Sequence, residues 1–146
     1  MRIKIFLLIL VSIALISCSK DDSNPADTTN DTAYVGTYTG TNSDGKDVSI
    51  TIGIVNGKAN VTKYNFLYTY TGSSGLKNPG TAIGENSVGL APVNNASFSI
   101  VVPSYNDNNS RINGTFTDQT TLTGDYRIDI MGNGQTGTGT FTLKKK

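Results

Sequence analysis

Val48, Ile50, Ile52 and Ile54 occupy every second position of one stretch, with Asp47, Ser49, Thr51 and Gly53 between them. Side chains on an extended backbone point alternately to opposite faces, so this pattern describes a strand with one aliphatic and one polar face. Asn56-Gly57 follows directly. Both residues tolerate positive φ, and the pair is the strongest short signal for a type I′ hairpin turn. Asn42-Ser43-Asp44-Gly45-Lys46 precedes the strand and suits a second hairpin with Gly45 in the left-handed position. Phe98, Ile100 and Val102 alternate with Ser97, Ser99 and Val101 further along. From Ala33 to Lys146 no window carries apolar residues at helical spacing, which predicts an all-β domain.

A shorter pattern recurs through that domain. Tyr34-x-Gly36-x-Tyr38, Ile112-x-Gly114-x-Phe116, Leu122-x-Gly124-x-Tyr126 and Gly137-x-Gly139-x-Phe141 each place a glycine two residues before an aromatic, on the same sheet face. A glycine there leaves a gap that a neighbouring aromatic can cover, and it lets the sheet coil sharply. Repeated over several strands, this curls a small antiparallel sheet into a barrel; a twisted β-sandwich is the alternative. About eight strands are expected, near 33–41, 47–55, 58–71, 87–91, 96–102, 111–117, 121–130 and 136–144. The first and last share the pattern and are expected to pair.

The N-terminal segment reads differently. Arg2 and Lys4 precede an apolar run from Ile5 to Ile16 broken only by Ser12. That length fits a signal-peptide core and falls short of the ~20 residues a spanning helix needs. Leu15-Ile16-Ser17-Cys18 resembles the bacterial lipobox, which implies cleavage after residue 17 and a lipid on Cys18, the only cysteine. Stable anchoring takes more than one acyl chain, in line with the several that such a cysteine receives. Ser19-Lys20-Asp21-Asp22 resembles the surface-export signal of Bacteroidota lipoproteins, which implies an outer-membrane protein facing the cell exterior. Residues 18–32 lack large apolar side chains and are expected to form a disordered tether, with the barrel domain at 33–146.

The whole domain resembles small lipocalin-like lipoproteins of Bacteroidota, through Val35-Gly36-Thr37-Tyr38-Thr39-Gly40 near its start and Gly139-Thr140-Phe141-Thr142-Leu143-Lys144 at its end. It departs from true lipocalins in having Tyr38 where they carry Trp, and Lys144 to Lys146 in place of an Arg on the last strand. The resemblance implies a barrel that binds a small apolar ligand or glycan. The alternative is a filled barrel acting as an interaction or structural protein that docks on an envelope or host protein.

Composition narrows the chemistry. The chain has no His and one Cys, which removes His metal sites, His general acid–base chemistry and Ser–His or Cys–His nucleophile pairs. A formal charge of +1, with 16% charged residues, argues against nucleic acid as a partner. No catalytic residue, metal or cofactor is therefore expected beyond the lipid on Cys18. Asn42, Asp44 and Asp47, and the run Asn106 to Asn109, offer oxygen ligands but lack the closing Glu of a Ca²⁺ loop, and read as turn residues. Asp125, Arg127 and Asp129 read as a charge ladder on a solvent face.

The binding candidates are Tyr64, Phe66, Tyr68 and Tyr70, which share one face of a strand. Ala59 and Val61, upstream, are in the opposite phase. Either a bulge near Lys63 turns the row inward to core or cavity, or the row is an outward stripe for a sugar ring, lipid or partner. Gly72 to Ala82 reads as a long surface loop beside the row, with Leu76 and Lys77 as contact residues if it covers a barrel mouth.

Overall fold

The computed structural model describes residues 31–103, 109–130 and 135–146. The signal segment, Cys18, the Ser19–Asp22 motif, the tether up to residue 30 and Asn106–Asn108 lie outside the described residues.

The described chain opens with a single 3-10 turn, Asp31–Tyr34, which straddles the boundary between the stretch read as tether and the barrel domain. Nine strands follow: β1 (Gly36–Asn42), β2 (Asp47–Val55), β3 (Lys58–Thr71), β4 (Lys77–Glu85), β5 (Ala91–Pro92), β6 (Ser97–Val101), β7 (Arg111–Phe116), β8 (Thr121–Ile130) and β9 (Gln135–Lys145). Among the described residues no helix is long and apolar enough to cross a membrane. All pairings are antiparallel, and the sheet runs β4-β3-β2-β1-β9-β8-β7-β6, with β5 on β3. It curls into a half-barrel around one core, as the glycine pattern predicts.

The turns follow from their residues. Asn56 and Gly57 both have positive φ, 50° and 77°, as a type I′ hairpin requires, and Gly45 stands at 68°. Asn42 shapes the β1–β2 turn, its Oδ1 accepting from the backbone N–H of Asp44 and of Lys46 at 3.0 Å each. Val48, Ile50 and Ile52 are buried as their alternation demands. Ile54 is not: it is 50% exposed, because β2 runs on past the edge of the core at its hairpin end.

β1 and β9 do pair, in a register that sets Gly40 opposite Leu143. That pairing joins the chain ends mid-sheet, so the free edges fall at β4 and β6. Toward one end of the curl this gap is spanned by the chain itself. β5 extends the pairing of β3 beyond β4 through Val61↔Ala91 and Asn60↔Pro92, and an Asn94↔Ser97 bridge leads into β6. Toward the other end, no ladder among the described residues joins β4 to β6.

Two sequence expectations need correction. Gly72 to Ala82 is not a long loop: the turn is short, with Gly72 N–H donating to the Leu76 carbonyl at 2.9 Å, and β4 pairs with β3 from Lys77 through Glu85. β4 escapes a pattern search because glycines replace apolar residues on its inner face and Pro79 sits within it. Proline is tolerated because β4 is an edge. The strand expected at 87–91 is only the two-residue β5.

Candidate functional site

The tyrosine row faces inward, by way of a bulge. β3 pairs Thr51 with Lys63 but Ile52 with Val61, leaving Thr62 as the extra residue. An inserted residue reverses the alternation, so Ala59 and Val61 before it and Tyr64, Phe66 and Tyr68 after it all reach the same interior. Phe66 lies at the centre, fully buried, with ring centroids of Tyr126 at 4.7 Å and Phe141 at 5.5 Å. The middle of the barrel is thus filled with aromatic rings, and Phe66 is a core residue. Tyr70 is half-buried at the rim, 6.5 Å from the Tyr68 ring.

Tyr64 and Tyr68 do something else. Their partners across the β3–β4 ladder are Gly84 and Gly80. A Cβ at Gly84 would stand 2.9 Å from the Tyr64 hydroxyl oxygen, and one at Gly80 would stand 2.8 Å from that of Tyr68. Each ring therefore lies across the edge strand, over a glycine, and carries its hydroxyl to the seam beyond β4. Gly137 of β9 contributes a second gap for the Tyr68 ring.

At that seam is a cleft of about 360 Å³, with Tyr64 and Tyr68 as its floor. The β4 edge from Thr81 to Ile83 forms one wall, and Val102, Pro103 and the Ile128–Ile130 end of β8 form the other. Both tyrosines are nearly buried as residues, 2% and 6% exposed, but their hydroxyls open onto the cleft and have no hydrogen-bond partner among the described residues. Burial raises the pKa of both phenols, with Tyr70 adding to the effect at Tyr68. They therefore remain neutral groups that both donate and accept hydrogen bonds.

Asp129 is the charged side chain of the cleft lining. Its Oδ1 accepts from the Thr136 hydroxyl at 2.7 Å and from Arg127 Nε at 3.2 Å. The expected ladder of Asp125, Arg127 and Asp129 divides accordingly. Asp129 turns to the cleft rim, while Asp125 stays on the outer face and accepts from Asn113 Nδ2 at 3.0 Å.

No family model, curated protein or solved structure matches this chain. The reading of the site therefore rests on its own geometry.

Near the same end of the barrel a polar network closes the β1–β2 turn. Asp44 Oδ2 accepts from the Thr69 hydroxyl at 2.7 Å and from the Tyr126 hydroxyl at 3.2 Å, and Lys77 Nζ lies 3.8 Å from Oδ1. The bond from Thr69, chiefly, holds the Asp44 carboxyl below its usual range. Burial, with the neighbouring Asp44 charge, pushes the Tyr126 hydroxyl up to about 12. Asn42 Nδ2 donates to the Leu67 carbonyl at 2.8 Å and to the Tyr126 hydroxyl oxygen at 3.3 Å. These are the residues that read as turn chemistry, and they do hold a turn. Among the described residues no group of three His, Cys, Asp or Glu is placed to hold a metal.

Sequence reading thus finds Tyr64 and Tyr68 but misses Asp129, read as part of a solvent-face charge ladder, and Gly80, Gly84, Val102 and Pro103 as parts of one site. A signal for the glycines exists. Two tyrosines four apart face two glycines four apart across one hairpin, in a single register.

Proposed function

We propose that this chain is a lipid-anchored protein of the outer membrane, displayed on the cell exterior, whose lipocalin-like barrel binds a small ligand at its open seam. The observation that carries the binding reading is the pair of tyrosine hydroxyls that open onto a cleft of about 360 Å³ and have no hydrogen-bond partner among the described residues. Each ring is packed away while its hydroxyl stays open to the cleft, and apolar side chains around a few converging polar groups are the usual form of a small-molecule site. The volume is at the small end of such sites, which favours a compact ligand.

The cleft offers hydrogen bonds and apolar walls. Among the described residues that line it, none is a nucleophile activated by a His or Cys partner, which supports reading the site as one for binding. The anchor and its export rest on Leu15-Ile16-Ser17-Cys18 and Ser19-Lys20-Asp21-Asp22.

The binding reading is tested by purifying the full chain and identifying what travels with it by mass spectrometry. One small molecule, present near one per chain and absent from a Tyr64→Ala/Tyr68→Ala variant, is the expected result. A chain that carries nothing and shifts no resonance with any small molecule offered would refute it. For the anchor, Cys18→Ser is expected to move the protein from the membrane pellet to the soluble fraction. Replacing Lys20, Asp21 and Asp22 with alanine is expected to protect the anchored protein from protease added to intact cells.

A second reading, docking on an envelope or host protein, has one observation in its favour. Ile83 and Val101, on the two edge strands that flank the seam, are 64% and 56% exposed. Crosslinking from those positions on intact cells distinguishes it, since a bound protein leaves a shifted band and a small ligand does not.

A further inference from the structure

Resting on the reading of the seam cleft as a ligand site, we infer that its ligand is an uncharged, hydroxyl-bearing ring, a neutral sugar unit, and that the cleft turns away anionic amphiphiles such as fatty acids. The first ground is polarity. A fatty acyl chain filling the cleft would seal the Tyr64 and Tyr68 hydroxyls away from water without giving either a partner, and a buried unpaired polar group is heavily disfavoured. A sugar hydroxyl both donates and accepts, so it pairs with a neutral phenol in either sense.

The second ground is charge. Asp129 is the one charged side chain among the described residues that line the cleft, and its charge is already answered by Arg127 outside the lining. A ligand carboxylate would meet that carboxylate with no cation among the described lining residues to hold it. Ligand hydroxyls, by contrast, can donate to it.

The third ground is shape. Ile128 and Ile130 give one wall an apolar surface that suits the C–H face of a sugar ring. Opposite them, β4 is an edge strand, and an edge presents outward backbone N–H and C=O groups that a ring's hydroxyls can satisfy. Gly80 and Gly84 weaken β4 as a strand, and what they provide is room for two hydroxyls to reach its edge.

The test uses the full chain in lipid nanodiscs, followed by protein-observed NMR, with a panel of neutral methyl hexosides, the matching hexuronates, and decanoate. At least one neutral hexoside is expected to shift resonances of Ala82 and Ile128, and to bind about tenfold more weakly to Tyr64→Phe and to Tyr68→Phe. The matching hexuronate is expected to bind more weakly than its neutral parent, and Asp129→Asn is expected to narrow that difference. Decanoate binding at these residues as tightly to the Tyr→Phe variants as to the parent chain would overturn the sugar assignment and leave the cleft a ligand site. Hexosides binding undiminished to both Tyr→Phe variants would also overturn it, by placing them elsewhere. Silence from the whole panel would overturn it too, while a co-purified molecule lost in the Tyr64→Ala/Tyr68→Ala variant would still uphold the cleft.

Discussion

Two buried tyrosines in this barrel differ in what their hydroxyls touch, and that difference separates binding from stability. The Tyr126 hydroxyl donates to Asp44 and accepts from Asn42. Tyr126→Phe is therefore expected to cost about 1–2 kcal/mol in urea unfolding, because both partners lose a bond. The Tyr64 hydroxyl bonds to nothing among the described residues, so Tyr64→Phe is expected to stay within about 0.5 kcal/mol of the parent while weakening the ligand. Phe66, at the centre of the aromatic cluster, has neither choice. Phe66→Ala opens a cavity that the surrounding rings cannot fill, with an expected cost of about 3–5 kcal/mol by the same measurement.

At the scale of elements, the interlock of glycine and aromatic explains both the curl and the seam. On β8 and β9, Gly124 faces Phe141 and Tyr126 faces Gly139, so each strand's aromatic covers the other's gap. Phe98 covers Gly114 across β6 and β7 in the same way. The Gly-x-aromatic spacing announced this much, since both members of each pattern lie on one face. β4 was hidden because its glycines and their aromatics belong to different strands, and its own residues show no apolar alternation. Gly84→Ala is expected to push the Tyr64 ring off β4, lowering stability by about 1–3 kcal/mol and broadening the β4 amide resonances. A substitution without effect on either would show that the ring does not lie over the glycine.

For the whole molecule, pH dependence follows from which groups the fold holds in one ionisation state. Tyr38 is pushed up to about 12 by burial first, and by nearby Tyr34 and Asp118 second, while its hydroxyl donates to the carbonyls of Tyr34 and Gln119. Tyr126 likewise ionises only near 12. A raised folded pKa contributes stability that is whole below the unfolded tyrosine value, near pH ~10, and is lost as pH climbs through the folded value. The urea midpoint is thus expected to fall between about pH 10 and 12, in step with the tyrosinate absorbance. Asp44 works at the other limit: its lowered pKa contributes stability present above the ordinary carboxylate range and lost as pH falls through the folded value. Thr69→Val removes the principal bond to that carboxylate and is expected to flatten the acid limb while leaving the alkaline one unchanged.

Local patterns determined what depends on neighbours in the chain: the strand faces of β2 and β6, the Asn56-Gly57 turn, the all-β class, and the tendency of glycine-bearing strands to coil. Alternation and turn preference are properties of a few consecutive residues, and a sequence displays them directly. Tertiary structure decided the rest. The Thr62 bulge turned the tyrosine row inward because only pairing with β2 exposes an unmatched residue. The β1–β9 pairing moved the free edges to β4 and β6, and with them the cleft. Tyr64 and Tyr68 became its floor because glycines of another strand made room for their rings, and such contacts exist only once distant parts of the chain have met.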